Sequence, residues 1–190
     1  MLHSAVDALR EHGAAGVTID EVLARSGAPR GSVYYHFPEG RNQIITEALH
    51  LAGESITALI DDAVAGGGTS LTRTFVSYWE RALVESDFAA GCPVAAVAIG
   101  SGEDEPDLTD VTGRIFGDWR DAMARAFVAD GLDAPDAESL AVTSIAAIEG
   151  AVMLCRSTRS TKPLHDVTEQ IEFLIRAREF VRRFGVPPQQ

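Results

Sequence analysis

The chain has 190 residues, of which 46% are hydrophobic and 23% charged, the balance of a globular protein with a real core. No apolar stretch approaches the roughly 20 residues that span a bilayer, no secretory pattern opens the chain, and the distant Cys92 and Cys155 form neither a CxxC nor a disulfide framework, so a reducing cytoplasm is the expected compartment. The net charge of −12 argues against indiscriminate affinity for phosphate, yet residues 1–46 set four arginines against five carboxylates, which leaves −11 to the remainder.

The periodicity is helical almost throughout. Leu2, Ala5, Val6 and Leu9 recur at the spacing of one buried helix face, and Gly13 and Gly16 are expected to end that helix. Thr18-Ile19-Asp20-Glu21 reads as a capping box opening a second helix, which stops at Ser26-Gly27. Pro29 is expected in the first turn of a short third helix, ended near Phe37-Pro38 because the residue before proline leaves the α region. Asn42 to Val64 predicts a long helix with Ile45, Leu49, Ala52, Ile56, Leu59 and Ile60 inward, followed by Gly66-Gly67-Gly68 as a flexible connector. Four further helices are expected at about 70–86, 108–130, 136–156 and 164–184, with a short buried helix in 91–98 and an acidic loop at 102–107. The expected fold is all-α: an N-terminal three-helix DNA-binding domain (1–41) and a larger helical ligand-binding and dimerisation domain (42–190).

Three short helices with a glycine-containing turn between the second and third form the helix-turn-helix pattern. At about 100° per residue, Val33 and Phe37 share one side of the third helix and should anchor it. Gly31 and Tyr35 point away, flanked by Ser32 and Tyr34, with Arg30 nearby. Hydroxyls and backbone amides suit phosphate contacts, and glycine allows close approach to a strand.

These residues resemble the TetR family of transcriptional regulators. The resemblance runs through His12-Gly13, Thr18 to Gly27 and Gly31-Ser32-Val33-Tyr34-Tyr35-His36-Phe37, covering about residues 1–49; beyond that, only the number and length of helices match. Phe37-Pro38-Glu39-Gly40-Arg41 and Gly91-Cys92-Pro93-Val94-Ala95 further resemble a drug-responsive branch. The resemblance implies DNA contacts from Thr18, Arg30, Gly31, Ser32, Tyr34, Tyr35 and His36, and a phosphate contact from Arg41, where the family usually has lysine. Members usually carry several residues, often basic, ahead of the first helix. This chain begins at Met1 inside it, and such an arm is not counted among its contacts.

Phe75, Trp79, Phe116, Trp119, Met123, Phe127 and Met153 lie at helical spacings and individually read as core. Together, and given the resemblance, they are candidates to line a cavity for a small apolar effector, with Glu80, Arg120 or Glu149 as its polar group. Ile171, Leu174 and Ile175 mark one side of the last helix, and Phe173, Phe180 and Phe184 another, which predicts a helix buried on one side and paired on the other. A homodimer through 136–156 and 164–184 on a near-palindromic operator, as a repressor released by its effector, is the expected assembly.

No cofactor, metal or membrane partner is expected. The five histidines have no zinc-ligand spacing, the acidic loop lacks the glycine and terminal glutamate of a calcium loop, and Gly66–Gly68 is not followed by GK[ST]. Gly100-Ser101-Gly102 is not a nucleophile elbow, and Cys92 reads as a small buried hydrophobe. The rival readings are a helical small-molecule-binding protein without specific DNA binding, and an all-α enzyme, which lacks a visible nucleophile–base pair.

Overall fold

The computed structural model describes residues 1–100 and 108–185. The acidic segment 102–107 and Ser101 therefore lie outside the described residues. Among the described residues nine α-helices follow one another without a strand: α1 (Leu2–Gly16), α2 (Ile19–Ser26), α3 (Arg30–His36), α4 (Arg41–Val64), α5 (Gly67–Glu85), α6 (Pro93–Gly100), α7 (Thr109–Ala129), α8 (Ala134–Thr158) and α9 (Lys162–Phe184).

The expected helix faces are the ones that pack. Ala5, Val6 and Leu9 of α1, Val22 of α2 and Val33 of α3 meet Ile45 and Leu49 of α4 in one continuous core. That core runs on through Phe75 and Trp79 of α5, Trp119 and Phe127 of α7, and Ile171 and Ile175 of α9. α4 is shared: it packs on α1 as well as on α5 and α7, with Trp119 Nε1 donating to Gly53 O at 3.4 Å.

Some local expectations are corrected. Pro29 is the N-cap of α3, with extended backbone, and Arg30 is the first helical residue. The end of α1 is as expected: Gly13 leaves helical backbone and the helix closes at Gly16. The glycine run is no flexible connector: α5 already begins at Gly67, and Gly68 N–H donates to Asp130 Oδ2 at 2.6 Å. A Cβ on Gly68 would sit 2.5 Å from the Phe127 ring, so only glycine lets α5 and α7 approach this closely. α8 is also longer than expected, and by length and composition it is apolar enough to cross a membrane. Part of that apolarity is spent on packing, with Leu140, Ala141, Ile148, Ala151 and Val152 buried within the protein.

Candidate DNA-reading helix and effector groove

The second and third helices are held by local chemistry. Thr18 Oγ1 caps α2 by accepting from Glu21 N–H at 3.1 Å. The reciprocal half of the capping box is replaced: the Glu21 carboxylate accepts from Arg25 Nε at 2.6 Å, and Arg25 forks onto Glu11 of α1 at 2.7 and 3.1 Å. That fork holds the Glu11 carboxyl below its usual range, chiefly through the hydrogen bond from Arg25. Gly27 then closes α2 at φ 67°, a left-handed conformation natural to glycine, with its N–H on Leu23 O.

α3 is two-sided. Val33 and Phe37 are buried, whereas Tyr34 is 61% and Tyr35 83% exposed. Gly31 and His36 lie on the open surface too, and the Tyr35 ring meets His36 edge-on at 5.0 Å. Two phenols left in water have no packing role, and they stand with Gly31 as a polar, donor-bearing face. Ser32 is half-buried, and its hydroxyl donates to Pro29 O at 2.6 Å, inside its own first turn. Arg30 reaches back to Asp20 of α2 at 2.7 Å; both side chains are exposed, so the pair is worth at most about 1 kcal/mol and is readily exchanged.

Arg41, for which the resemblance implies a phosphate contact, is hydrogen-bonded within the protein in this structure. Its Nε donates to Val17 O at 2.6 Å and its Nη2 to Ala14 O at 2.7 Å. From the start of α4, the guanidinium thus satisfies the open carbonyls at the C-terminal end of α1. It ties the first helix to the fourth.

The aromatic set divides. Phe75, Trp79, Trp119, Met123 and Phe127 are closed into the core, while Met153 lies 61% exposed on the outer side of α8. Of the seven expected effector contacts, Phe116 alone lines a largely apolar groove of about 480 Å³ between α6, α7 and α8. Ala95 and Ile99 of α6 and Ile145 of α8 form its other walls; small and aliphatic, they carried no distinguishing signal in the sequence. Arg120 and Glu149 supply its polar groups, whereas Glu80 pairs with His165 at 3.1 Å elsewhere. Burial, partly offset by the nearby Cys92 thiol, pushes Glu149 up to about 7. Cys92 itself is buried in the hydrophobic core, as expected.

Residues 1–48 match the family described as "Bacterial regulatory proteins, tetR family", and residues 70–170 match "Transcriptional regulator LmrA/YxaF-like, C-terminal domain". An uncharacterized HTH-type transcriptional regulator of Mycobacterium tuberculosis is 40% identical over 93% of both chains. The chain belongs to the TetR family. The HTH-type transcriptional regulator LmrA of Bacillus subtilis is 23% identical over 93% of this chain and 95% of its own length. A crystal structure of the regulatory protein TetR from Rhodobacter sphaeroides, 23% identical, superposes with a TM-score of 0.78 over 90% of this chain and 94% of that one, which shows the common fold.

As a TetR-family protein, the chain is a DNA-binding transcriptional regulator of the helix-turn-helix type. Its family members bind operator DNA and ligands and act as dimers. Hydrogen bonds of α1 join its reading head to the core. Arg10 Nη2 donates to Tyr78 Oη at 2.5 Å, Gly91 N–H to Arg10 O at 2.9 Å, and Arg156 Nη2 of α8 to Glu11 O at 3.2 Å.

Proposed function

We propose that this regulator represses transcription as a homodimer on a near-palindromic operator, in the cytoplasm, and is released by a small apolar or aromatic effector, in the manner of the drug-responsive branch that segments 37–41 and 91–95 resemble. Residues 1–41 read DNA, and 42–190 bind effector and dimerise. The observation that carries the reading is the anchored helix α3 with two unpacked tyrosines on its open face. Tyr34, Tyr35, Gly31 and His36 meet the DNA, Arg30 exchanges Asp20 for a phosphate, and Thr18 and Ser32 offer hydroxyl oxygens at helix starts. Arg41 contributes by holding α1.

The dimer forms through α8 and α9. Met153, Leu154, Phe173, Phe180 and Phe184 are exposed on these two helices, a concentration of large apolar side chains that calls for a partner. A twofold axis there sets two copies of α3 about 34–36 Å apart, or a multiple of it, on one face of the duplex. Effector in the groove displaces α6 and α8, and both lead to α1: α6 packs on it and α8 holds it through Arg156. α4 carries the same displacement from the core to Arg41. Effector and operator then weaken each other by the same factor.

Fluorescence anisotropy with the DNA upstream of its own gene, at stated salt, tests this. A specific complex of two chains per site, weakened by salt, is expected. Only nonspecific binding there would return the protein to the small-molecule-binding reading.

A further inference from the structure

The effector groove contains a group that packing does not explain. Glu149 lines it from α8, and its Oε1 is buried with no hydrogen-bond partner among the described residues. The Cys92 thiol lies near the same carboxyl. A buried acceptor left unmet is costly, and native proteins hold few of them. Arg120, the other charged residue of the groove, does not answer it: its Nε and Nη2 go to Asp121 at 2.7 and 2.6 Å. The walls around the carboxyl are apolar, with Ala95, Ile99 and Ile145 on two sides and the Phe116 ring on the third. A space of about 480 Å³ is that of a two- or three-ring organic molecule.

We propose that the groove selects apolar organic molecules carrying a protonated amine, which Glu149 receives at Oε1 while Phe116 covers the ring system. An amine supplies the donor that Oε1 lacks and neutralises a carboxylate in apolar surroundings. The face of an aromatic ring beside the cation adds to the attraction. The proposal deepens the effector reading above and rests on it for consequence, but binding is measured on the free protein without DNA.

Three probes of one shape separate the contributions: naphthylmethylamine, naphthalenemethanol and methylnaphthalene, titrated calorimetrically into the full chain at neutral pH. The amine is expected to bind at least about tenfold tighter than the alcohol, the range of one charge-assisted hydrogen bond. Glu149→Gln removes that preference and leaves the alcohol's affinity in place, and Phe116→Ala weakens all three. Equal binding of amine and alcohol, or a preference that survives Glu149→Gln, overturns the proposal. So does a groove variant that changes the oligomeric mass, which would make the groove a contact between copies. Amine binding that leaves operator affinity untouched refutes the effector reading instead and spares this one.

Discussion

Replacing Glu149 by glutamine should change how stability depends on pH. Burial raises the Glu149 pKa from 4.5 to about 7 in the folded protein. Between those values the folded chain keeps a proton that the unfolded chain has lost, so stability falls as pH rises through the window. The neutral form is the favoured native one, and its advantage is complete below about 4.5 and gone above about 7. At about 1.4 kcal/mol per pH unit, the wild type should lose about 2–3 kcal/mol between pH 5 and 8 through this one group. Glutamine has no such titration. The difference in unfolding free energy between Glu149→Gln and wild type should therefore move in the variant's favour by that amount. Other groups cancel in the difference: Glu11, Asp87 and Glu172 are held low by Arg25, Arg159 and Arg73, and their contributions are lost on the acid side of the window. Urea denaturation at fixed ionic strength and fixed protein concentration measures it, the latter because a dimer's stability depends on concentration. A difference flat within about 0.5 kcal/mol, well below the expected slope, would show that Glu149 is solvated in the native state.

Tyr35→Ala should melt like the wild type, since the ring is 83% exposed, and should bind operator about tenfold more weakly, the worth of one hydrogen bond of about 1–1.5 kcal/mol; anisotropy titration and a thermal melt read the two effects separately. Arg41→Ala should lower stability by about 2–3 kcal/mol by stripping charged donors from Ala14 O and Val17 O. Lysine should not restore it, because a single ammonium lacks the two-pronged geometry, and calorimetry decides. Phe180→Asp should yield a monomer of native circular dichroism in light scattering, the side chain being exposed on the outer face of α9. A dimer that persists would place the interface elsewhere.

The way Phe116 and Trp119 parted shows where sequence reasoning stops. They are three residues apart on α7 and meet edge to face at 5.3 Å, yet one lines the groove and the other is sealed against Gly53. Periodicity assigns both to an inward helix face. It does not say whether the neighbouring helices close over that face, which depends on the small residues Gly68 and Gly53 letting α5 and α4 approach α7. Arg41 is a parallel case: the motif places it beside DNA, and the carbonyls of α1 that receive it are 24 and 27 residues distant in sequence.

What the sequence determined by itself was local or periodic. The all-helical class, the Thr18 cap, the Gly27 turn, the division of α3 into Val33 and Phe37 against Tyr34 and Tyr35, and the two apolar sides of α9 follow from 3.6-residue spacing and backbone preference, which operate within a few residues. The destinations of long side chains and the sealing of space were decided only by the tertiary structure. The guanidinium of Arg41, the tight α4–α5 turn and the unmet oxygen of Glu149 each depend on which distant helix arrives alongside, and on how near its backbone can come.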